Sequence, residues 1–232
     1  MRKQKIAVSI MCADMMRVGE EIRELERLGI DYIHCDVMDG HFVPNLMLPY
    51  QFINRMKECT RLPLDIHLMV ERPEESIGLM DIGKGDYISV HWESSVHVER
   101  AVSLIHSKGA VPMLAVNPST PVECTRDLLD ELGGVLIMTV NPGFAGQSVV
   151  PGAFSKVKRM RRYLDDCGYK KLDIEVDGNC SFDNIRLFMG AGANIYVLGT
   201  SALYRKDLSR IECIERVREI LGQGKLSTSN ES

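Results

Sequence analysis

Eight times along the chain a short apolar run rich in β-branched residues is followed by a longer amphipathic stretch, at intervals of about 27 residues. The apolar runs begin near Ile6, Asp31, Pro63, Asp86, Val111, Gly134, Leu172 and Ile195. Helical patterns lie between and after them, over 14–28, 49–58, 73–82, 96–107, 121–131, 151–166, 181–190 and 207–221. In the first, Val18, Ile22, Leu25 and Leu28 form one stripe, with Asp14 as the expected N-cap and Gly29 just past the end. Pro73, Pro121 and Pro151 fall where a first turn tolerates a missing N–H, and Ser181 is the expected cap of the seventh helix. Strand–helix alternation without a break in composition predicts a parallel sheet, and eight units close it into a single (β/α)8 TIM barrel over 1–221, followed by a flexible tail over 222–232. An open doubly wound sheet is the other arrangement. It usually carries Gly-x-Gly-x-x-Gly after its first strand, and none is present here.

The net charge of −4 supplies no basic field, which argues against nucleic acid as a partner. No apolar stretch is long enough to span a bilayer, and the N-terminus lacks the pattern of a secretion signal. The seven cysteines are scattered, with no Cys-x-x-Cys. They read as reduced thiols, and the expected location is cytoplasmic.

Three of the apolar runs end in metal-capable side chains. They are Tyr32-Ile33-His34-Cys35-Asp36-Val37-Met38, Asp65-Ile66-His67-Leu68-Met69 and Ile174-Glu175-Val176-Asp177. Alternate residues of a strand share a face, so His34, Asp36 and Met38 point one way, as do His67 and Met69, and Glu175 and Asp177. In a barrel these strand ends converge on the catalytic rim. Two imidazoles and two carboxylates, His34, Asp36, His67 and Asp177, then suit one divalent metal ion, Zn²⁺, Fe²⁺, Mn²⁺ or Co²⁺, among which affinity order alone does not choose; Zn²⁺ is the expected one. Cys35 lies on the opposite face. Glu175, one layer deeper than Asp177, either orients a ligand from behind or is a buried, paired acid. Met38, Met69 and Met138 would line a dry site, and the Ser9 hydroxyl ends the first strand. Asp39 points away and reads as a brace for the following loop. His91 is expected behind the site, and His97 and His106 on the surface.

A phosphate site is expected from three glycine-bearing turns: Asn141-Pro142-Gly143-Phe144-Ala145-Gly146-Gln147 after strand 6, Gly178-Asn179 after strand 7 and Gly199-Thr200-Ser201 after strand 8. None of these turns holds Lys or Arg, so backbone N–H groups would carry the anion.

The run His34-Cys35-Asp36-Val37-Met38-Asp39-Gly40-His41-Phe42-Val43-Pro44-Asn45, with His67-Leu68-Met69-Val70, Met138-Thr139-Val140-Asn141-Pro142-Gly143-Phe144 and Glu175-Val176-Asp177-Gly178, resembles the ribulose-phosphate 3-epimerase family over nearly the whole chain, about Ile6 to Leu221. The resemblance implies a barrel of the ribulose-phosphate-binding type, a metal-dependent isomerase and a homo-oligomer. It implies His34, Asp36, His67 and Asp177 as metal ligands, with Asp36 and Asp177 as the acid/base pair. Ser9, Met38, His67, Met69, Met138, Gly143, Phe144, Ala145, Gly146, Asp177, Gly178, Asn179, Gly199 and Thr200 would contact a small ketose phosphate. Ala145, Asn179, Thr200 and Asn45-Leu46-Met47-Leu48 depart from the usual motifs in ways similar to the D-allulose-6-phosphate 3-epimerase branch. The expected reaction is therefore D-allulose 6-phosphate/D-fructose 6-phosphate interconversion through an enediolate. D-ribulose 5-phosphate/D-xylulose 5-phosphate epimerisation is the alternative. A related decarboxylase or aldol-type synthase would tend to show a lysine within Asp-x-Lys-x-x-Asp on strand 3, where this chain has His67-Leu68-Met69 after Asp65-Ile66. A non-catalytic sugar-phosphate sensor would not need the two aspartates.

Overall fold

The computed structural model describes residues 2–224. Eight parallel strands form a closed ring: β1 (Lys5–Ser9), β2 (Tyr32–Asp39), β3 (Leu64–Met69), β4 (Tyr87–His91), β5 (Val111–Val116), β6 (Gly134–Met138), β7 (Asp173–Asp177) and β8 (Ile195–Leu198). Each pairs with the next, and β1 pairs with both β8 and β2, which closes the cylinder. A two-residue ribbon, Leu46–Met47, adds antiparallel to the end of β2. Seven α-helices surround the ring: α1 (Val18–Arg27), α2 (Tyr50–Cys59), α3 (Pro73–Leu79), α4 (Val98–Ser107), α5 (Ala153–Asp166), α6 (Phe182–Ala191) and α7 (Arg210–Ile220). Among the described residues no helix is long and apolar enough to cross a membrane.

The pleat decides the two cores. Outward residues such as Ile33, Cys35, Val37, Ile66 and Leu68 are buried with Ile22, Leu25, Ile53 and Ile105 of the helices in one large apolar shell. Inward residues fill the cylinder. At its lower end Lys5 Nζ sits 2.6 Å from Asp173 Oδ2, and Tyr87 donates to the same oxygen at 3.1 Å. Near the upper end the inward positions stand in register across strands: Ser9 opposite His34, Asp36 opposite His67, Met38 opposite Met69 and Met138 opposite Asp177.

The barrel expectation holds, with local differences at helix ends. Asp14 caps a short 3₁₀ turn, Met15–Arg17, by accepting from Met16 N–H, and α1 starts only at Val18. Gly152 takes a φ of +87° as N-cap of α5, so Pro151 stands before the helix and not in its first turn. Pro121 likewise occupies the cap. The segment Val122–Glu131 is 3₁₀ in place of an α-helix. Its Thr125 hydroxyl donates to the Val122 carbonyl three residues back, a local bond that competes with the i−4 ladder. Pro73 and Ser181 sit as expected. The expected tail lies outside the described residues from 225 onward.

Candidate active site

The upper mouth of the barrel gathers His34 and Asp36 from β2, His67 from β3 and Asp177 from β7. One ligating atom from each lies within 4.8 Å of all the others. Asp36 Oδ1 is 3.3 Å from His34 Nε2 and 3.4 Å from His67 Nδ1. Asp177 Oδ2 is 4.0 Å and 3.6 Å from the same two nitrogens. Both histidines and Asp36 are buried, while Asp177 is partly exposed at the cavity wall. Among the described residues His34 Nε2 and His67 Nδ1 have no hydrogen-bond partner although they are sealed from solvent. A buried polar atom without a partner is costly. Two such nitrogens facing two carboxylates fit a divalent cation, and the donor set of two nitrogens and two oxygens suits the metals named above.

Each ring is held from its far side. His34 Nδ1 meets Asp65 Oδ2 at 2.6 Å, with Glu175 Oε1 at 3.5 Å. His67 Nε2 meets His91 Nε2 at 2.8 Å, and His91 Nδ1 lies 3.2 Å from Glu93 Oε2. Glu175 therefore does sit one layer down, but Asp65 makes the short bond to His34. Ser9 donates to Asp36 Oδ2 at 2.7 Å.

The two aspartates differ in proton affinity. Burial would raise Asp36, yet the charges and bonds of His34 and His67 overcome it and hold its carboxyl well below the usual range. Burial and the neighbouring Asp36 charge raise Asp177. Burial likewise raises Glu175, with Asp65 adding to it, and lowers His91 to about 4.

Above this cluster a cavity is lined by Ser9, Asp36, Met38, Met69, Met138, Gly143, Phe144, Ala145, Gly146, Asp177, Gly178, Asn179, Gly199 and Thr200. Among the predicted contact residues His67 is the exception. It is wholly buried beneath the cavity and does not line it. Gln147 and Ser201, the last residues of two of the expected turns, also line the wall, as do Met11 and Cys12, which sequence reasoning did not single out. Among the described residues no Lys or Arg lines the cavity. Gly178 has a φ of +114°, and a Cβ there would lie 2.7 Å from Val140 and 2.8 Å from the Thr139 hydroxyl. The next residue, Asn179, is also left-handed at +47°, a conformation Asn tolerates better than most, and its amide donates to the Gln147 carbonyl at 2.7 Å. Asn45 donates to the Gly143 carbonyl at 2.8 Å. The turns after β6 and β7 are thus tied to each other, and the first of them to the loop after β2.

Asp39 is the expected brace: its carboxylate accepts from the N–H groups of His41, Phe42 and Glu71. His41, His97 and His106 stand outside the site, exposed or half-exposed. Asp65 was legible, since it shares a strand face with His67. Glu93 carried no signal of its own.

Fold and site together define a (β/α)8 barrel with its reactive groups at the C-terminal ends of the strands. A family profile described as "Ribulose-phosphate 3 epimerase family" matches residues 5–204. The chain belongs to the ribulose-phosphate 3-epimerase family, isomerases acting on carbohydrate phosphates. It is 40% identical over 214 residues to "Ribulose-phosphate 3-epimerase" of Bacillus subtilis, covering 92% of this chain and 98% of that one. It is 34% identical over 224 residues to the protein of the same name from Escherichia coli K12, covering 96% and 98%. Among solved structures it is similar to a phosphoribosyl anthranilate isomerase from Thermococcus kodakaraensis, with a TM-score of 0.62 and 18% identity over 95% of this chain and all of that chain, a likeness of fold alone.

Proposed function

We propose that this protein interconverts D-ribulose 5-phosphate and D-xylulose 5-phosphate by epimerisation at C3. The names of its relatives support the pentose phosphates. They give no support to the expected D-allulose 6-phosphate reaction, so the alternative reading takes its place.

The observation that carries the reaction is the pairing of Asp36 and Asp177 around the two unpartnered histidine nitrogens. Epimerisation needs a proton carrier on each side of a planar enediolate. Asp36 projects from β2 and Asp177 from β7, strands separated around the rim. One takes the C3 proton as base while the other delivers one to the opposite face. His34 Nε2, Asp36, His67 Nδ1 and Asp177 would hold one divalent ion, Zn²⁺ by preference. When bound it would supply Lewis-acid stabilisation of negative charge on the substrate oxygens. Met38, Met69 and Met138 keep water from the reacting carbons and so strengthen electrostatics there. Backbone groups of Gly143 to Gly146, Gly178, Asn179, Gly199 and Thr200 would surround the phosphate.

The net charge of −4 and the lack of cationic lining favour no nucleic-acid partner. A cytoplasmic location is supported by seven cysteines that form no disulfide. A homo-oligomer follows from the family resemblance and is measured by light scattering. The reaction is tested by kcat/KM for D-ribulose 5-phosphate and D-allulose 6-phosphate on one Zn²⁺-loaded sample. The pentose phosphate is expected to be the better substrate. A clear preference for D-allulose 6-phosphate would overturn the assignment.

A further inference from the structure

We propose that Glu93 is a positioning residue. Through His91 it fixes the proton arrangement of His67, so that the Nδ1 lone pair of His67 faces the Asp36–Asp177 cluster. This rests on the reading of that cluster as a metal site.

Only one hydrogen fits between His67 Nε2 and His91 Nε2, which lie 2.8 Å apart. Either ring can in principle supply it. If His91 did, its Nδ1 would present a bare lone pair to the Glu93 carboxylate at 3.2 Å, two acceptors facing each other. His67 would then carry its own hydrogen on Nδ1, pointing at Asp36 and Asp177, with no lone pair left for a cation. An ionised Glu93 decides between the two. His91 donates from Nδ1 to Glu93 and accepts at Nε2. His67 donates from Nε2, and its Nδ1 lone pair is free.

The carboxylate is well placed to make this choice. Its other oxygen accepts from Asn117 N–H at 2.9 Å and from the Thr120 hydroxyl, which anchors it to the loop after β5. Those bonds and the one from His91 outweigh the effect of burial and hold its carboxyl down at about 2, so it remains an acceptor. Its side chain is 24% exposed at the rim, whereas the His91 ring is sealed and packs on Phe42 with ring centroids 4.7 Å apart. His34 is set the opposite way. Asp65 takes its Nδ1 hydrogen, and its Nε2 lone pair faces the cluster. Each ring therefore has its own carboxylate, Asp65 directly and Glu93 at one remove, and the two rings offer different nitrogens.

The test is Zn²⁺ affinity, read by competition with a chromophoric chelator, for the wild type, Glu93→Ala and Glu93→Gln. Wild-type binding with a loss of about 10–100-fold in Glu93→Ala supports the assignment, and Glu93→Gln, whose single amide oxygen cannot serve both His91 and the Asn117 and Thr120 donors, should fall between the two. Unchanged affinity in Glu93→Ala overturns it. A wild type that takes no Zn²⁺ instead removes the metal reading beneath it. A second measurement needs no variant. Long-range ¹H–¹⁵N spectra of the Zn²⁺-loaded wild type should show His91 protonated at Nδ1 and His67 at Nε2. His91 protonated at Nε2 alone overturns the proposal whatever the variants do.

Discussion

Asp65 Oδ2 lies 2.6 Å from His34 Nδ1, a buried bond between adjacent strands directly beneath the cluster of His34, Asp36, His67 and Asp177. It leaves His34 Nε2 as the nitrogen that faces the other three. The pair is the means by which the barrel interior, and not the mouth, sets the orientation of the ring.

Replacing Asp65 by Ala therefore lets the His34 hydrogen move between its two nitrogens. Zn²⁺ affinity is expected to fall about 10–100-fold, the usual effect of removing such a partner. Chelator competition on the purified variant reads it directly.

Gly178 follows Asp177 with a φ of +114° and has no room for a Cβ beside Val140 and Thr139. Gly178→Ala combines backbone strain with overpacking and should cost about 1–3 kcal/mol. A thermal midpoint lower by several degrees is expected. Displacement of the β7 turn should also raise KM for the ketose phosphate, and steady-state kinetics on the variant checks this.

Glu93 has a folded-state carboxyl near 2 against an ordinary value of 4.5. A depressed acid stabilises the fold above its unfolded value and loses that contribution as pH falls through the folded one. Wild-type stability from this group should be complete above about pH 4.5 and decline toward pH 2. Glu93→Gln carries no such titration. Urea denaturation of both proteins across that window should show the wild-type advantage shrinking as the pH drops.

Much of this was legible in the chain because strand geometry is simple. A period of two placed His34, Asp36 and Met38 on one face, and His67 with Met69, and the barrel brought those faces together. The glycine turns line the cavity because their residues follow strand ends. Helix starts were less legible. Asp14 and Pro151 look like cap and first-turn residues, but a 3₁₀ turn and the left-handed Gly152 come between them and their helices. The expected fifth helix is a 3₁₀ segment in which Thr125 bonds to Val122, a turn type that local pattern does not reveal. The supports of the two histidines divide the same way. Asp65 is two residues from His67 on its own strand, whereas Glu93 reaches the site only through His91 and the loop after β5.

The account turns on Asp36 and Asp177 acting as a pair, and the most direct measurement is kcat of Asp177→Asn on D-ribulose 5-phosphate with metal content determined on the same sample. A loss of at least about 10²–10⁴ from missing proton transfer is predicted, with metal still bound. Turnover close to wild type in the metal-loaded variant would contradict the mechanism.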